Sequence, residues 1–156
     1  MKKVLIALDY DPTAQKVAET GFSIAQSMNA EVILLHVISD PLYYSSGNYS
    51  PVMGFPGYIT PDPSIPKSVD DLKKESLDYL DKSRLYLGDG NIQIMVAEGQ
   101  FAETILKTAK DLNADIIVLG SHSRSWLEKI VMGSVAKEVL DHTSVPLFIV
   151  PTKKRD

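Results

Sequence analysis

Ile116-Ile117-Val118-Leu119-Gly120-Ser121-His122-Ser123 and, after a nine-residue spacer, Gly133-Ser134-Val135 decide how this chain is read. The first four residues are a short apolar run, three of them β-branched, preceded by Ala114-Asp115, and they read as a buried strand. Gly120 follows at once, so a loop leaves the carboxyl end of that strand, the usual place for a small-molecule site in an open α/β sheet. Two readings of what comes next stand side by side. In one, Gly133-Ser134 introduces a short helix, Val135-Ala136-Lys137-Glu138-Val139-Leu140. Its first amides lack partners inside the helix and, with the Ser134 hydroxyl and the positive end of the helix dipole, favour an anion such as phosphate. In the other, one helix runs from Trp126 to Leu140 and Gly133 is an interior defect costing about 1 kcal/mol relative to Ala.

Working outward, the same strand-loop-helix signature recurs. Val4-Leu5-Ile6-Ala7-Leu8 is a continuous apolar run suited to a strand covered on both faces, and Asp9 ends it. Asp9-Tyr10-Asp11-Pro12-Thr13 carries turn and capping residues, after which Val17, Ala18, Gly21, Phe22, Ile24, Ala25 and Met28 fall at helical spacing. Glu31 to Val37 repeats the strand pattern, so a parallel βαβ unit is the simplest connection, with the carboxyl ends at Asp9 and Val37 on one edge of the sheet. Val69 to Leu87 is helical, its inner face marked by Leu72, Leu77, Leu80 and Leu87, and Gly88-Asp89-Gly90 stops it. Ile92, Ile94 and Val96 mark a third strand, less buried than its neighbours. Phe101, Ile105, Leu106, Ala109 and Leu112 define an amphipathic helix leading to the strand quoted first. Val145-Pro146-Leu147-Phe148-Ile149-Val150 is the fifth strand, and its proline places it at a strand start or a sheet edge. This order predicts an α/β fold, a three-layer α/β/α sandwich around a parallel five-stranded sheet.

Composition excludes several classes of function. The chain has 156 residues, 44% of them hydrophobic, which suits one domain over 1–151 with a core of its own. A formal net charge of -4 argues against binding nucleic acid through a broadly basic surface. Lys153-Lys154-Arg155 is the single basic cluster, read as a solvated tail over 152–156. Without cysteine there is no disulfide framework, thiol nucleophile or thiolate metal site. Met1-Lys2-Lys3 precedes only five apolar residues, and no run approaches a membrane span, so the expected location is the cytoplasm. Between Ser39 and Ser68, six prolines, three glycines and four tyrosines leave no helical or strand period. This long insertion loop starts beside the proposed site; Tyr43, Tyr44, Tyr49 or Tyr58 can stack on a base, or pack the loop on its own domain or a partner subunit.

Taken together, these residues carry a family resemblance. The first strand ending at Asp9, the second ending His36-Val37, Leu119-Gly120-Ser121-His122, Gly133-Ser134-Val135 and the terminal Val145 to Val150 make the chain similar, over nearly its full length, to the universal stress protein family. The nucleotide-binding branch of that family has the pattern G-x-x-G, nine residues, then G-S or G-T. Gly120 matches the first glycine, Gly133 and Ser134 the closing pair, and the spacer from Arg124 to Met132 is intact. Ser123 stands where the second glycine is expected. Where a loop glycine takes positive φ, a side chain is disfavoured by roughly 1 kcal/mol, so Ser123 either weakens binding or keeps its amide in place and adds a hydroxyl donor.

The resemblance implies a sheet of order 3-2-1-4-5, of the adenine nucleotide alpha hydrolase-like type, and a ligand that is ATP, or ADP or AMP, with any magnesium arriving with the phosphates. It places Ala7 and Asp9 at the nucleoside end and the Val37 backbone at the adenine. Gly120, Ser121, His122, Ser123 and Arg124 follow the ribose and first phosphates, and Gly133, Ser134 and Val135 close on the terminal phosphates. Asp9 has a second role open to it, capping the helix that follows. No Ser-His-carboxylate arrangement, arginine finger, P-loop lysine or metal-spaced histidine pair is visible, so hydrolysis is at most slow. His36 reads as a core or second-shell histidine, and His142 as a helix-end histidine. The resemblance further implies a homodimer through the Val145–Val150 edge strand and a protein partner the sequence leaves unidentified. The alternative is a stress-associated interaction protein that binds no nucleotide, a reading on which only Ser123 bears.

Overall fold

Val4, Leu5 and Ile6 are fully buried, so successive side chains on opposite faces of one strand all lie out of water. Only a central strand covered on both sides gives that pattern, and in the computed structural model β1 (Lys3–Ala7) lies at the centre of the sheet. The structure describes residues 1–10, 12–39, 68–121 and 133–152. Beyond β1 the order is α1 (Ala14–Ser27), β2 (Glu31–Ile38), α2 (Val69–Leu87), β3 (Gln93–Glu98), α3 (Phe101–Asp111), β4 (Ile116–Gly120), α4 (Ser134–His142) and β5 (Leu147–Val150). All pairings are parallel and the order is β3-β2-β1-β4-β5, as the resemblance implies.

Helices cover both faces. Val4, Ile6, Leu34 and Val118 pack with Val17, Ala18 and Ala25 of α1 and Tyr79 and Leu80 of α2. Leu5, Ile33, Leu35, Ile117 and Leu119 pack with Ala102, Ile105 and Ala109 of α3 and Ala136 and Val139 of α4. The alternation of core membership along each strand is the pleat written in side chains. At the edges it weakens: β3 is only half-buried, as its sequence predicts, and β5 exposes Phe148. Pro146 lies just before β5, its carbonyl accepting the Ile117 N–H at 2.9 Å, so the strand starts after the residue that cannot donate.

Three expectations change. The inner face of α2 does not include Leu77, which is 43% exposed; it is formed by Leu72, Ser76, Tyr79, Leu80 and Ser83, a stripe at helical spacing in which hydroxyl-bearing residues take places that apolarity alone assigns to leucine. The reading of one helix from Trp126 to Leu140 also fails, because Gly133 has extended backbone (φ -70°, ψ 162°) and α4 begins only at Ser134. Thr152, the first residue of the predicted tail segment, is buried, and its N–H donates to Ser121 Oγ at 3.1 Å. The predicted loop over residues 39–68 falls, but for Ser39 and Ser68, outside the described residues, as do His122, Ser123, Arg124 and Lys153 to Arg155.

Candidate functional site

The chain's direction of travel across the sheet reverses at β1. Here β1 leads through α1 to β2 on one side, while β4, on the other side of β1, leads through α4 to β5. The switch point therefore lies between β1 and β4, and ligands of open α/β sheets bind outside the strand ends at such a point.

The described site residues lie on both sides of that switch point. The β1–β2 ladder ends with Leu8, whose N–H donates to the Leu35 carbonyl at 2.8 Å. Strand β2 continues past it, paired with β3 through Val37↔Ala97 and Ile38↔Glu98. Along a parallel ladder the main-chain groups alternate sides, so a carbonyl of Leu35 turned to β1 and one of Ile38 turned to Gly99 put those of Val37 on the β1 side, beyond the end of β1. Ala7 is partly buried at the end of β1, and Asp9 is exposed just after it. The helix-capping role for Asp9 does not hold as an N-cap, since that position of α1 belongs to Thr13 and shows no side-chain cap bond.

On the β4 side, Ser121 is a hub. Its N–H donates to the Val150 carbonyl at 2.9 Å, its carbonyl accepts from the Gly133 N–H at 3.0 Å, and its hydroxyl accepts from the Thr152 N–H. The start of α4 is thus fastened to the carboxyl end of β4. Gly133 is buried and spends its amide on that bond, leaving Ser134, Val135 and Ala136 as the first turn. Gly133 supplies no capping side chain, the first turn holds no acidic residue, and among the described residues no acceptor meets those three amides. An uncapped helix start of this kind favours an anion.

Gly120 is not explained by left-handed backbone, since the positive-φ glycines among the described residues are Gly88 and Gly99. A Cβ at Gly120 would lie 2.9 Å from Val17 Cγ2 and 3.1 Å from Thr152 Cγ2, so α1 and the chain after β5 press on β4 at its last residue.

At the end of β1 lies a cluster of which sequence reading marked His36 alone. His36 Nδ1 is 2.7 Å from the Leu8 carbonyl, the Tyr79 hydroxyl donates to the Asp9 carbonyl at 2.9 Å, and the Tyr10 hydroxyl is 2.8 Å from Ser76 Oγ. The Tyr10 and His36 rings are 4.4 Å apart and Tyr79 meets Tyr10 edge-on at 5.0 Å. A carbonyl can only accept, so Nδ1 carries the proton and Nε2 is left with a buried lone pair that no described residue meets. Burial pushes the His36 pKa down to about 4, with the bond to Leu8 opposing only in part. Tyr79 was legible in principle, standing on the stripe of Leu72, Ser76, Leu80 and Ser83; nothing in the spacing of Tyr10 marked it as buried.

Relatives agree with this architecture. The family model described as the universal stress protein family matches residues 1–151. Universal stress protein MJ0577 of Methanocaldococcus jannaschii is 28% identical over 158 residues, covering 97% of this chain and 96% of its own. The solved structure of MJ0577 superposes with a TM-score of 0.72 at 26% identity, covering 99% of this chain and 98% of that one. Two more distant structures share the fold at 17% identity: a universal stress protein in complex with cAMP (TM-score 0.64, 97% of this chain and 98% of that one) and one from Archaeoglobus fulgidus in complex with dAMP (TM-score 0.61, 96% and 97%). With the sheet order and the match over 1–151 in agreement, the chain belongs to the universal stress protein family.

Proposed function

We propose that this protein is a nucleotide-binding regulatory module that holds ATP, or ADP or AMP, across the carboxyl ends of β1, β2 and β4. The observation that carries the reading is the start of α4: an uncapped first turn, free of carboxylates, tied by Gly133 to the end of β4 at the switch point. In this arrangement the amides of Ser134 and Val135 and the Ser134 hydroxyl receive the terminal phosphates. Gly120, Ser121, His122, Ser123 and Arg124 form the path along the ribose and inner phosphates, with Ser121 acting through its backbone because its hydroxyl is bonded to Thr152. Ala7 and Asp9 border the nucleoside, and the Val37 main chain reads the adenine edge. Main-chain donors suit an acidic protein, because they hold phosphate without a cluster of lysines. The dAMP and cAMP complexes of distant relatives support an adenine-bearing ligand. Any magnesium comes with the phosphates, and hydrolysis is at most slow. Cytoplasmic location belongs to the same proposal; among the described residues no helix is long and apolar enough to cross a membrane. A protein partner responds to the nucleotide state.

Ser123, in place of the second motif glycine, favours the competing reading of a stress interaction protein without nucleotide. Two measurements separate them. Freshly purified protein is denatured and the supernatant analysed for adenine nucleotides, and the folded protein is heated with and without Mg-ATP. Absence of both nucleotide and thermal shift overturns the proposal. Ser134→Pro sharpens the test: proline is tolerated at the first helical position, and Gly133 already has the extended backbone a residue before proline requires. The variant is expected to fold as the wild type does while losing most of the Mg-ATP shift, since it removes one amide and one hydroxyl.

A further inference from the structure

Three consecutive residues leave β1, and each is held by a side chain from a different part of the chain. Leu8 is held through its carbonyl by His36 of β2, Asp9 through its carbonyl by Tyr79 of α2, and Tyr10 through its hydroxyl by Ser76 of α2. Tyr10, His36, Ser76 and Tyr79 are all buried. Filling space does not account for them, because phenylalanine, leucine and alanine would fill the same volume without the cost of desolvating polar groups. His36 even leaves Nε2 buried without a partner among the described residues, so the ring is kept for its Nδ1–H. What these residues do that apolar ones cannot is fix the direction of two carbonyls just past the last ladder bond of β1. A peptide plane fixed by its carbonyl also fixes the Cα atoms on either side of it, and so the points from which their side chains project.

We infer that His36 and Tyr79 are positioning residues: by locking the Leu8 and Asp9 carbonyls toward β2 and α2, they pre-organise Asp9 at the nucleoside end of the ligand site. This rests on the nucleotide reading given above. It adds that the geometry at the mouth of β1 is set by residues of β2 and α2 that touch no ligand, so affinity depends on hydroxyl and imidazole donors buried behind the site. Pre-organisation of this kind lowers the ordering cost of binding.

Tyr79→Phe removes one hydroxyl and leaves the ring. His36→Leu removes the Nδ1 donor, and His36→Asn restores a donor at nearly the same place. Mg-ATP affinity is measured by calorimetry well below the melting temperature, with amide hydrogen exchange followed in the same proteins. Tyr79→Phe and His36→Leu are expected to bind Mg-ATP about three- to tenfold more weakly than wild type, and His36→Asn within about twofold of it. Exchange should quicken at residues 9, 10 and 13 in Tyr79→Phe and His36→Leu, and stay slow in Val4 to Ile6. If wild type binds and both donor-deleting variants bind equally well, the inference is overturned while the nucleotide reading survives. If His36→Asn loses as much affinity as His36→Leu, in step with lost stability, the histidine is only structural and the inference is likewise overturned. A wild type that binds no adenine nucleotide overturns the functional reading itself. In that case unchanged exchange at residues 9 and 10 overturns the positioning role too, and quickened exchange retains it for the loop alone.

Discussion

His36 shows how much one residue can set in this fold. Its ring lies at the carboxyl edge, 3% exposed, and its pKa is lowered from 6.5 to about 4 chiefly because burial penalises the charged form. The unfolded chain therefore takes up a proton as pH falls below 6.5, while the folded protein resists until about 4. Stability contributed by the neutral ring is complete above pH 6.5, falls through the window from 6.5 to 4 and levels off below it, a loss of about 3 kcal/mol. Urea denaturation of wild type and His36→Asn across this window isolates the effect, because the two share every other titrating group; wild type should lose stability relative to the variant as pH falls. Parallel curves would show that the ring is not held neutral. From sequence, His36 could be placed in the core because it stands in an apolar strand, yet its partner Leu8 lies on another strand and could not be named.

At the scale of the element, α2 has both ends written into its sequence. Ser68 Oγ accepts the Asp71 N–H at 3.1 Å while Asp71 Oδ2 accepts the Ser68 N–H at 3.4 Å, and Gly88 closes the helix in the left-handed region at φ 77°. Ser68→Ala should cost about 1 kcal/mol in urea unfolding. Because Ser76 and Tyr79 lie turns further on, the same substitution should leave Mg-ATP affinity unchanged, which calorimetry checks. Helix ends are legible because capping is local chemistry between neighbouring residues. The face of α2 was harder to read: Leu77 is more apolar than Ser76, but only the position of β1 and β2 decides that Ser76 and Tyr79 turn inward. The same holds for α4, where spacing left two readings open and the extended backbone at Gly133 settled the start at Ser134.

The whole molecule presents a sheet with two edges, β3 and β5. The β3 edge ends in Glu98, which pairs with Lys73 at 2.8 Å, whereas β5 is apolar and exposes Phe148 at 43%. Bare apolar edges invite strand pairing, and twofold association is the commonest way to cover one. The protein is therefore expected to pair through Val145–Val150 and to sediment as a dimer at micromolar concentration, and Ile149→Pro, by removing a ladder donor, should shift it to monomer. A wild type that sediments as monomer argues against the proposed edge.

By itself the sequence determined the strands and helices, their order and the parallel sheet, because apolar periodicity, capping residues and glycine stops are interactions over a few residues. It also marked the segment at Gly120 and Gly133, since glycine and serine at fixed spacing survive as a pattern. Only the tertiary structure decided that Gly120 is small because Val17 and Thr152 close on it, that Ser121 binds α4 to β4, and that Tyr79 and His36 hold the chain after β1. Those contacts join residues far apart in the chain. Their existence follows from where packing brings the elements, which no local pattern encodes.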